Sequence, residues 1–387
     1  MLFRNDLQII EDAETLRQCC ATLSTQAVIA VDLEGASLHH YKEQICLMQL
    51  SDSTQDYIID FLAIDDLTPI FEILQNPNIL KVMHGADYDV VSLKRDYNIT
   101  IQNLFDTGIA AQFLNYKGLG LSFIIHKHFG FELDKRFQKY DWMRRPLYPE
   151  HIEYARGDTH FLLAIYEILK RELHANGFWD ACVEESQVMT CREWTGKQHD
   201  AEDFMRMKHV HKLPPLQRKV LRALFEAREE MAQQKDQPVF QVAHNQVLLT
   251  IATNYDQPLD VSIAKLSSDQ AGAVRKYKSL WQESIAKGLE DTRELPSLIP
   301  TEKHSKNQTF HDATTELRAW RTAEMAKGIP AVHLLSNQQI KSIAIVLPTT
   351  KTALRGVEDL RTWQIALHGD KIIKMMKKLQ KNKSKSS

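Results

Sequence analysis

Cysteine is scarce in this 387-residue chain, with five residues at Cys19, Cys20, Cys46, Cys182 and Cys191. An odd number with no Cys-x-x-Cys pair signals neither a disulfide framework nor a zinc module. Such usage fits a reducing compartment, and the chain is expected in the cytoplasm. No apolar run is long enough to span a membrane, and the opening MLFRNDLQ is too polar for a signal peptide. A Gly-rich phosphate loop and a nucleophile elbow are also missing. Small disulfide scaffolds, membrane proteins, P-loop enzymes and serine hydrolases of the elbow type are thereby set aside.

The formal charge of −2 hides an asymmetry. Residues 1–200 carry a net −12 and residues 201–387 a net +10. A basic back half suits a polyanion such as nucleic acid, and a solvated charged surface equally well. The tail Lys371–Ser387 holds seven Lys and no acid, which reads either as a solvated end or as an electrostatic arm for phosphates.

Strand-like and helix-like stretches alternate over the first ~175 residues, the pattern of an α/β layer domain. Strands are expected at Ala27–Leu33, Ile45–Leu50, Tyr57–Asp60 and Ile79–His84. Helices are expected at Ala13–Thr22, Leu67–Leu74, Tyr88–Asp96, Gly108–Leu114 and His151–Leu173. Beyond that point the chain reads as helices interrupted by Pro and Gly, with linkers at Lys212–Pro215 and Thr292–Asn307. A weak repeat runs through this part. Leu221-Arg222-Ala223, Glu230-Met231-Ala232, Pro238 and Asn245-Gln246 are echoed by Leu317-Arg318-Ala319, Glu324-Met325-Ala326, Pro330 and Asn337-Gln338. That offset suits two tandem small domains.

The chemistry-bearing residues are acids. Asp32 and Glu34 stand at i and i+2 at the end of a strand, so both leave on one face. Two carboxylates so close repel, and a bound cation removes that cost. Asp89 lies in the first turn of a helix behind the Gly85 turn, with Asp87 beside it. Tyr154 and Asp158 stand at i and i+4, one turn apart on a helix. Each of these alone is common in structural settings. Hard oxygen donors from separate elements are what Mg²⁺ or Mn²⁺ choose, and two such ions serve phosphodiester hydrolysis. His84, His126, His128 and His160 are expected in structural or exposed roles.

In order, the D-x-E, H-G-A-D-x-D and Y-x-x-x-D motifs resemble those of the DEDD exonuclease superfamily in its Tyr-bearing branch, above all ribonuclease D and its nuclear-exosome relatives. Supporting matches are Leu47-Met48-Gln49-Leu50, Phe105-Asp106-Thr107, Leu133-Asp134-Lys135, Asp141-Trp142, Arg145-Pro146-Leu147 and Asp158-Thr159-His160. The resemblance implies an α/β ribonuclease H-like exonuclease domain, a mixed sheet flanked by helices, followed by all-α HRDC-like domains. It implies two divalent cations, Mg²⁺ or Mn²⁺, on Asp32, Glu34, Asp89 and Asp158. Tyr154 would orient or help deprotonate the attacking water, and Asp87 would be an onlooker. The implied activity is 3′→5′ hydrolysis of RNA to nucleoside 5′-monophosphates, with single-stranded RNA 3′ ends, transfer RNA precursors among them, as partners. A monomer without membrane or organic cofactor is expected. A DNA exonuclease and a catalytically weak RNA-binding adaptor are the alternatives.

The expected layout is a nuclease domain at 1–175, a helical connector at 176–213, an HRDC domain at 214–290 and a linker at 291–311. A second, divergent HRDC-like domain at 312–380 and a basic tail at 381–387 complete it. Two positions depart from the ribonuclease D pattern. Gly35 replaces a usual Phe after Glu34, and Tyr140 replaces a small residue before Asp141-Trp142.

Overall fold

A computed structural model describes residues 6–194, 202–297 and 308–386. The first half alternates β1 (Asp6–Ile10), α1 (Ala13–Leu23), β2 (Val28–Gly35), β3 (Ile45–Ser51), β4 (Gln55–Asp60), α2 (Thr68–Gln75), β5 (Leu80–Met83) and α3 (Asp87–Tyr97). Then follow β6 (Leu104–Asp106), α4 (Thr107–Phe113), α5 (Leu121–Phe129), α6 (Pro149–His160), α7 (Leu162–Asn176) and α8 (Trp179–Thr190). The strands form one mixed sheet in the order β1-β4-β3-β2-β5-β6. β3 runs antiparallel to both β2 and β4, and the remaining pairs are parallel. Every residue of β3 is buried, which suits its near-continuous apolar run inside a sheet covered on both faces.

The interior strands follow the apolar runs of the sequence. β1 and β6 were not expected, because each is an edge strand whose residues give no long apolar signal. β1 is mostly exposed or half-buried, and β6 has three residues. Both exist through pairing, with β4 and β5 respectively. The single helix expected over His151–Leu173 is two helices, α6 and α7, divided at Phe161. There the His160 ring turns to Asp56 while the Phe161 ring packs on Phe129 and Phe131. α8 lies in the expected connector 176–213, yet it packs against the sheet. Ser186 Oγ accepts from Asp106 N at 3.1 Å, and Gln187 Nε2 donates to Leu104 O at 2.9 Å. The sheet unit therefore runs past residue 175.

A buried polar staple fixes α6 to the sheet. Asp56 of β4 is 0 % exposed and accepts from Arg156 Nε at 2.6 Å, from Ser51 Oγ at 2.7 Å and from the His160 ring at 2.8 Å. Burial pushes its pKa up, but those three donors outweigh burial and hold it below the usual carboxylate range.

The helical half comprises α9 (Pro215–Gln234), α10 (Val239–Val242), α11 (Asn245–Thr253), α12 (Leu259–Ile263), α13 (Ser268–Lys276) and α14 (Lys278–Glu290) around Trp281. A second unit has α15 (Gln308–Ala326), α16 (Asn337–Val346), α17 (Lys351–Arg355) and α18 (Thr362–Ser386) around Leu317, Ile340 and Met376. The repeat read in the sequence has a structural counterpart. Arg228 of α9 donates to Asn245 Oδ1 at 2.6 Å and to Ala243 O, and Arg321 of α15 donates to Asn337 Oδ1 at 2.8 Å and to Leu335 O. In both units an arginine thus ties the long first helix to the start of the following one. Of the expected linker Thr292–Asn307, residues 298–307 lie outside the described residues, as do the side chains of 382–387 in the expected basic tail. Among the described residues no helix is long and apolar enough to cross a membrane.

Each unit touches the sheet domain at its own place. The second meets α8, where Glu184 accepts from Thr362 N at 2.7 Å and Glu185 accepts from Trp363 Nε1 at 3.1 Å and Arg361 Nε at 3.2 Å. The first meets the loop after β2. There His40 sits between two carboxylates, Asp141 Oδ1 at 2.9 Å and Asp236 Oδ2 at 2.6 Å. Ionised carboxylates only accept, so both ring nitrogens carry protons and His40 is an imidazolium clamp. Arg144 also faces Asp141, and Tyr41 donates from its amide to Asp236 and from its hydroxyl to Glu229.

Two outcomes follow for the fold. Asp56→Ala strips a buried guanidinium of its carboxylate and should cost about 3–5 kcal/mol, read from urea unfolding of the sheet domain; a loss below ~1 kcal/mol would contradict the staple. The His40 clamp should be pH-dependent. Burial lowers the His40 pKa, but Asp236 and Asp141 outweigh it and raise the value. The contact is therefore complete below the ordinary histidine pKa and weakens as pH rises through the raised one. Hydrogen exchange in 37–44 and 236–241 should quicken, beyond its intrinsic pH dependence, as pH rises above the ordinary histidine pKa in the native chain; His40→Gln should flatten that extra response.

Candidate active site

β2 carries Asp32 and Glu34 on the face beneath α6, while Ile29, Val31 and Leu33 point into the opposite core. The antiparallel register sets Asp32 opposite Gln49 and Glu34 opposite Leu47, with a bulge between Glu34 and Gly35. A Cβ on Gly35 would meet Gln44 O at 3.1 Å, so a side chain there would press on the neighbouring backbone. The departure at Gly35 thus belongs to a local path in which β2 and the Gln44 carbonyl approach closely.

Asp89 arrives from the other side of β2. β5 ends in a turn at Gly85, whose φ of +66° is the left-handed conformation glycine tolerates. Ala86 N then donates to Asp106 Oδ2 at 2.7 Å, while Asp106 Oδ1 caps α4 at Ile109 N. Asp106 in this way fixes the start of α3, and Asp89 falls in its first turn at 8 % exposure. Asp87 is exposed and pairs with Arg192. α6 supplies Tyr154 and Asp158, both half-buried.

The expected acids come together. Burial raises the Asp32 pKa well above the ordinary value, and the charges of Asp158, Asp89 and Glu34 raise it further. Glu34 is raised by burial, then by Asp158 and Asp89. Asp89 is pushed to about 7 by burial, Asp106 and Asp158, and Asp158 to about 7 by burial. The Tyr154 phenol is likewise pushed upward by burial, then by Asp158, Glu34 and Asp32. Asp32, Glu34, Asp89 and Tyr154 thus each feel the charge of Asp158, which places them around one poorly solvated spot.

Aromatic rings back this place. Tyr154 packs against Phe137 and Trp142 with ring centroids 5.9 Å away in each case. Tyr140 stacks on His151 at 4.1 Å and meets Trp142 edge-on at 5.3 Å. The unusual Tyr140 therefore builds the wall that holds Tyr154. The four histidines are tied up elsewhere: His84 with Thr107, His126 with Glu132, His128 with Tyr116 and His160 with Asp56.

Whether these residues suit divalent cations can be judged from their donors. The converging groups are four carboxylates with no thiolate or imidazole among them, the set Mg²⁺ and Mn²⁺ favour. Three buried polar groups stand nearby without hydrogen-bond partners: both amide atoms of Gln49, Ser92 Oγ and Trp142 Nε1. The Trp142 N–H makes no completed hydrogen bond, yet it favours the charged form of Glu34. Such orphaned groups and unneutralised acids fit a site whose charge balance includes cations. Among the described residues no group of three or more His, Cys, Asp or Glu side chains is already set at metal-binding spacing. Sequence reading missed Asp106 as the anchor of α3 and the Asp56 staple of α6. Both stood inside or beside motifs, but only pairing at long sequence range gives them these tasks.

The 3′-5′ exonuclease family model matches residues 7–174, and the HRDC domain model matches residues 217–260 and 311–376. The exosome complex component 10 homolog of Drosophila melanogaster is 31% identical over 272 residues, covering 68% of this chain and 30% of that protein. The chain spans 30% to 40% of the length of the first three curated relatives it matches. The catalytic core of RRP6 from Trypanosoma brucei is 30% identical with a TM-score of 0.60, covering 75% of this chain and 81% of that one. Escherichia coli RNase D, described as an exoribonuclease involved in structured RNA processing, superposes with a TM-score of 0.69. It covers 96% of this chain and 99% of that one at 24% identity, and so speaks for the fold.

The raised acids make a prediction for the metal-free protein. A carboxylate raised from 3.8 to about 7 favours the folded state at low pH, and that contribution is lost as pH rises through 7. Asp89→Asn should therefore be more stable than the native chain in EDTA at pH 8, by about 1–4 kcal/mol. The gap should close toward pH 4 and be narrowed by Mg²⁺. Thermal unfolding at the two pH values checks this, and equal stability at pH 8 would contradict the electrostatic reading.

Proposed function

Because the chain belongs to the ribonuclease D type of 3′→5′ exonucleases, with HRDC modules behind the nuclease sheet, we propose that it hydrolyses RNA from the 3′ end. The products are nucleoside 5′-monophosphates. The observation that carries this reading is the electrostatic convergence of Asp32, Glu34, Asp89 and Asp158, from two strand positions and two helices, beside Tyr154.

In this reading the four acids hold two divalent cations, Mg²⁺ or Mn²⁺, which when bound supply an activated water and counter-charge for the leaving 3′ oxygen. Asp32, whose carboxylate feels the charges of Asp158, Asp89 and Glu34, would share in holding the cations. Tyr154 orients the attacking water through its hydroxyl. Its upward-shifted pKa in the metal-free site supports a neutral phenol that positions rather than a phenolate that takes a proton. Trp142 and the ring wall keep Glu34 and Tyr154 in place. Asp56 and Arg156 hold α6 at the distance that Asp158 requires.

The substrate is a single-stranded RNA 3′ end, with transfer RNA precursors as the class in view. Support comes from the relatives, an exosome component homolog and an exoribonuclease of structured RNA processing. Sequence preference should be low, because single-stranded recognition rests on stacking and backbone contacts. A monomer in the cytoplasm completes the proposal. All five cysteines are free, as a reducing compartment leaves them.

A gel time course on 5′-labelled single-stranded RNA and matched DNA tests it, with Mg²⁺, Mn²⁺ or EDTA. The expected result is RNA shortening from its 3′ end, absent in EDTA and reduced by orders of magnitude in Asp89→Asn. Tyr154→Phe should be slowed but active. A fully active Asp89→Asn protein overturns the ligand assignment. Preferential DNA shortening moves the activity to a DNA exonuclease, and RNA binding without cutting to an adaptor.

A further inference from the structure

Between the sheet domain and the first helical unit lies a cleft of about 800 Å³. One wall is the loop after β2 together with the end of α3, and the other is the turn Pro238–Phe240 at the start of α10. Gln44 and Arg95 line both this cleft and the small recess that contains Glu34 and Asp89. The cleft therefore adjoins the recess that holds two of the candidate catalytic acids. Its size falls in the range that encloses a drug-sized ligand, room for about one or two nucleotides.

Its lining is aromatic more than basic. Phe240 is 43 % exposed, a large ring presented by the helical unit, with His244 stacked near it at 6.2 Å. Trp194 stands at the cleft with the Arg95 guanidinium 4.9 Å from its ring centroid. That guanidinium is neutralised by Glu43 and Asp96, each at 2.6 Å. Lys42 makes no ion pair among the described residues. One spare cation is too little for a phosphate-tracking groove, which relies on many such charges. Exposed rings are what hold successive bases of a single strand, because every base has a π-face.

We propose that this cleft is the subsite for the single-stranded RNA nucleotides beyond the one immediately upstream of the scissile phosphate, held by stacking on Phe240 and Trp194. The proposal rests on the exoribonuclease reading of the acids next to it. It assigns the first helical unit a direct part in substrate binding through one ring. Among the described residues, none of the second unit, docked on α8, lines this cleft. The His40 clamp sets the spacing of the two walls.

The test uses the full chain and compares cleavage of a dinucleotide with that of a 12-nucleotide oligoadenylate. Phe240→Leu keeps apolar bulk but loses the flat ring, Phe240→Trp restores it, and Trp194→Ala removes the second platform. For the 12-mer, Phe240→Leu and Trp194→Ala should each raise KM roughly 5- to 100-fold with kcat little changed, from the loss of one stacked base. Phe240→Trp should return KM to near the native value. The dinucleotide should be cut alike by all four proteins, and the salt dependence of KM should not change. In the native chain with EDTA, 4-thiouridine placed third from the 3′ end should crosslink to the peptide bearing Phe240.

Equal 12-mer KM in all proteins, or a crosslink confined to the second helical unit, overturns the cleft. A parallel loss on the dinucleotide also overturns it, since the rings would then act on the catalytic recess itself. If the native chain cuts neither substrate while the crosslink forms, the cleft stands and the exoribonuclease reading falls.

Discussion

Four carboxylates in one poorly solvated place repel each other, and the rest of the sheet domain can be understood as the means of holding them there. Nothing in the local sequence of any one of them favours that arrangement. Burial pushes all four pKa values upward, and neighbouring charge adds to it at Asp32, Glu34 and Asp89, so the site is least favourable at the pH where it must be charged. A scaffold has to supply the opposing free energy. It does so from apolar cores on both sides of the sheet and from two polar anchors at the helices that bring in the acids.

Those anchors share a design. Asp106 accepts from Ala86 N, just before α3, and caps α4, so the helix carrying Asp89 starts at a fixed point. Asp56 binds Arg156 and His160 under α6, so the helix carrying Tyr154 and Asp158 cannot shift along β4. In each case a buried acid with satisfied donors positions an acid without them. Buried ionic groups contribute little net stability, but they penalise every alternative placement in which a partner is left behind. Uniqueness of placement is what a cation-binding carboxylate set needs.

The helical units are attached through different chemistry. The first meets the loop after β2 by a protonated histidine between two acids, close to the catalytic recess. The second sits on α8 through backbone amides and a tryptophan donating to Glu184 and Glu185. The second unit also packs His333 and Trp363 against Phe113 of α4, and His333 Nε2 lies 2.8 Å from Phe113 O.

The sequence by itself determined the interior strands, most helices of the first half and the full set of candidate acids. The physical reason is that buried strands demand apolar runs, helix faces demand period, and side chains share a face at i, i+2 on a strand and at i, i+4 on a helix. Edge strands β1 and β6, the division of α6 from α7 at Phe161 and the packing of α8 were decided by tertiary contact, since short half-exposed segments gain structure only from a partner. The same holds for Asp56, Asp106, Tyr140 and His40. Each looks ordinary in the chain, and its role is set by groups that only the fold brings near: Asp56 meets Arg156 across 100 residues and His40 meets Asp236 across 196. Local pattern fixes which residues can face a site; long-range pairing fixes what holds them there.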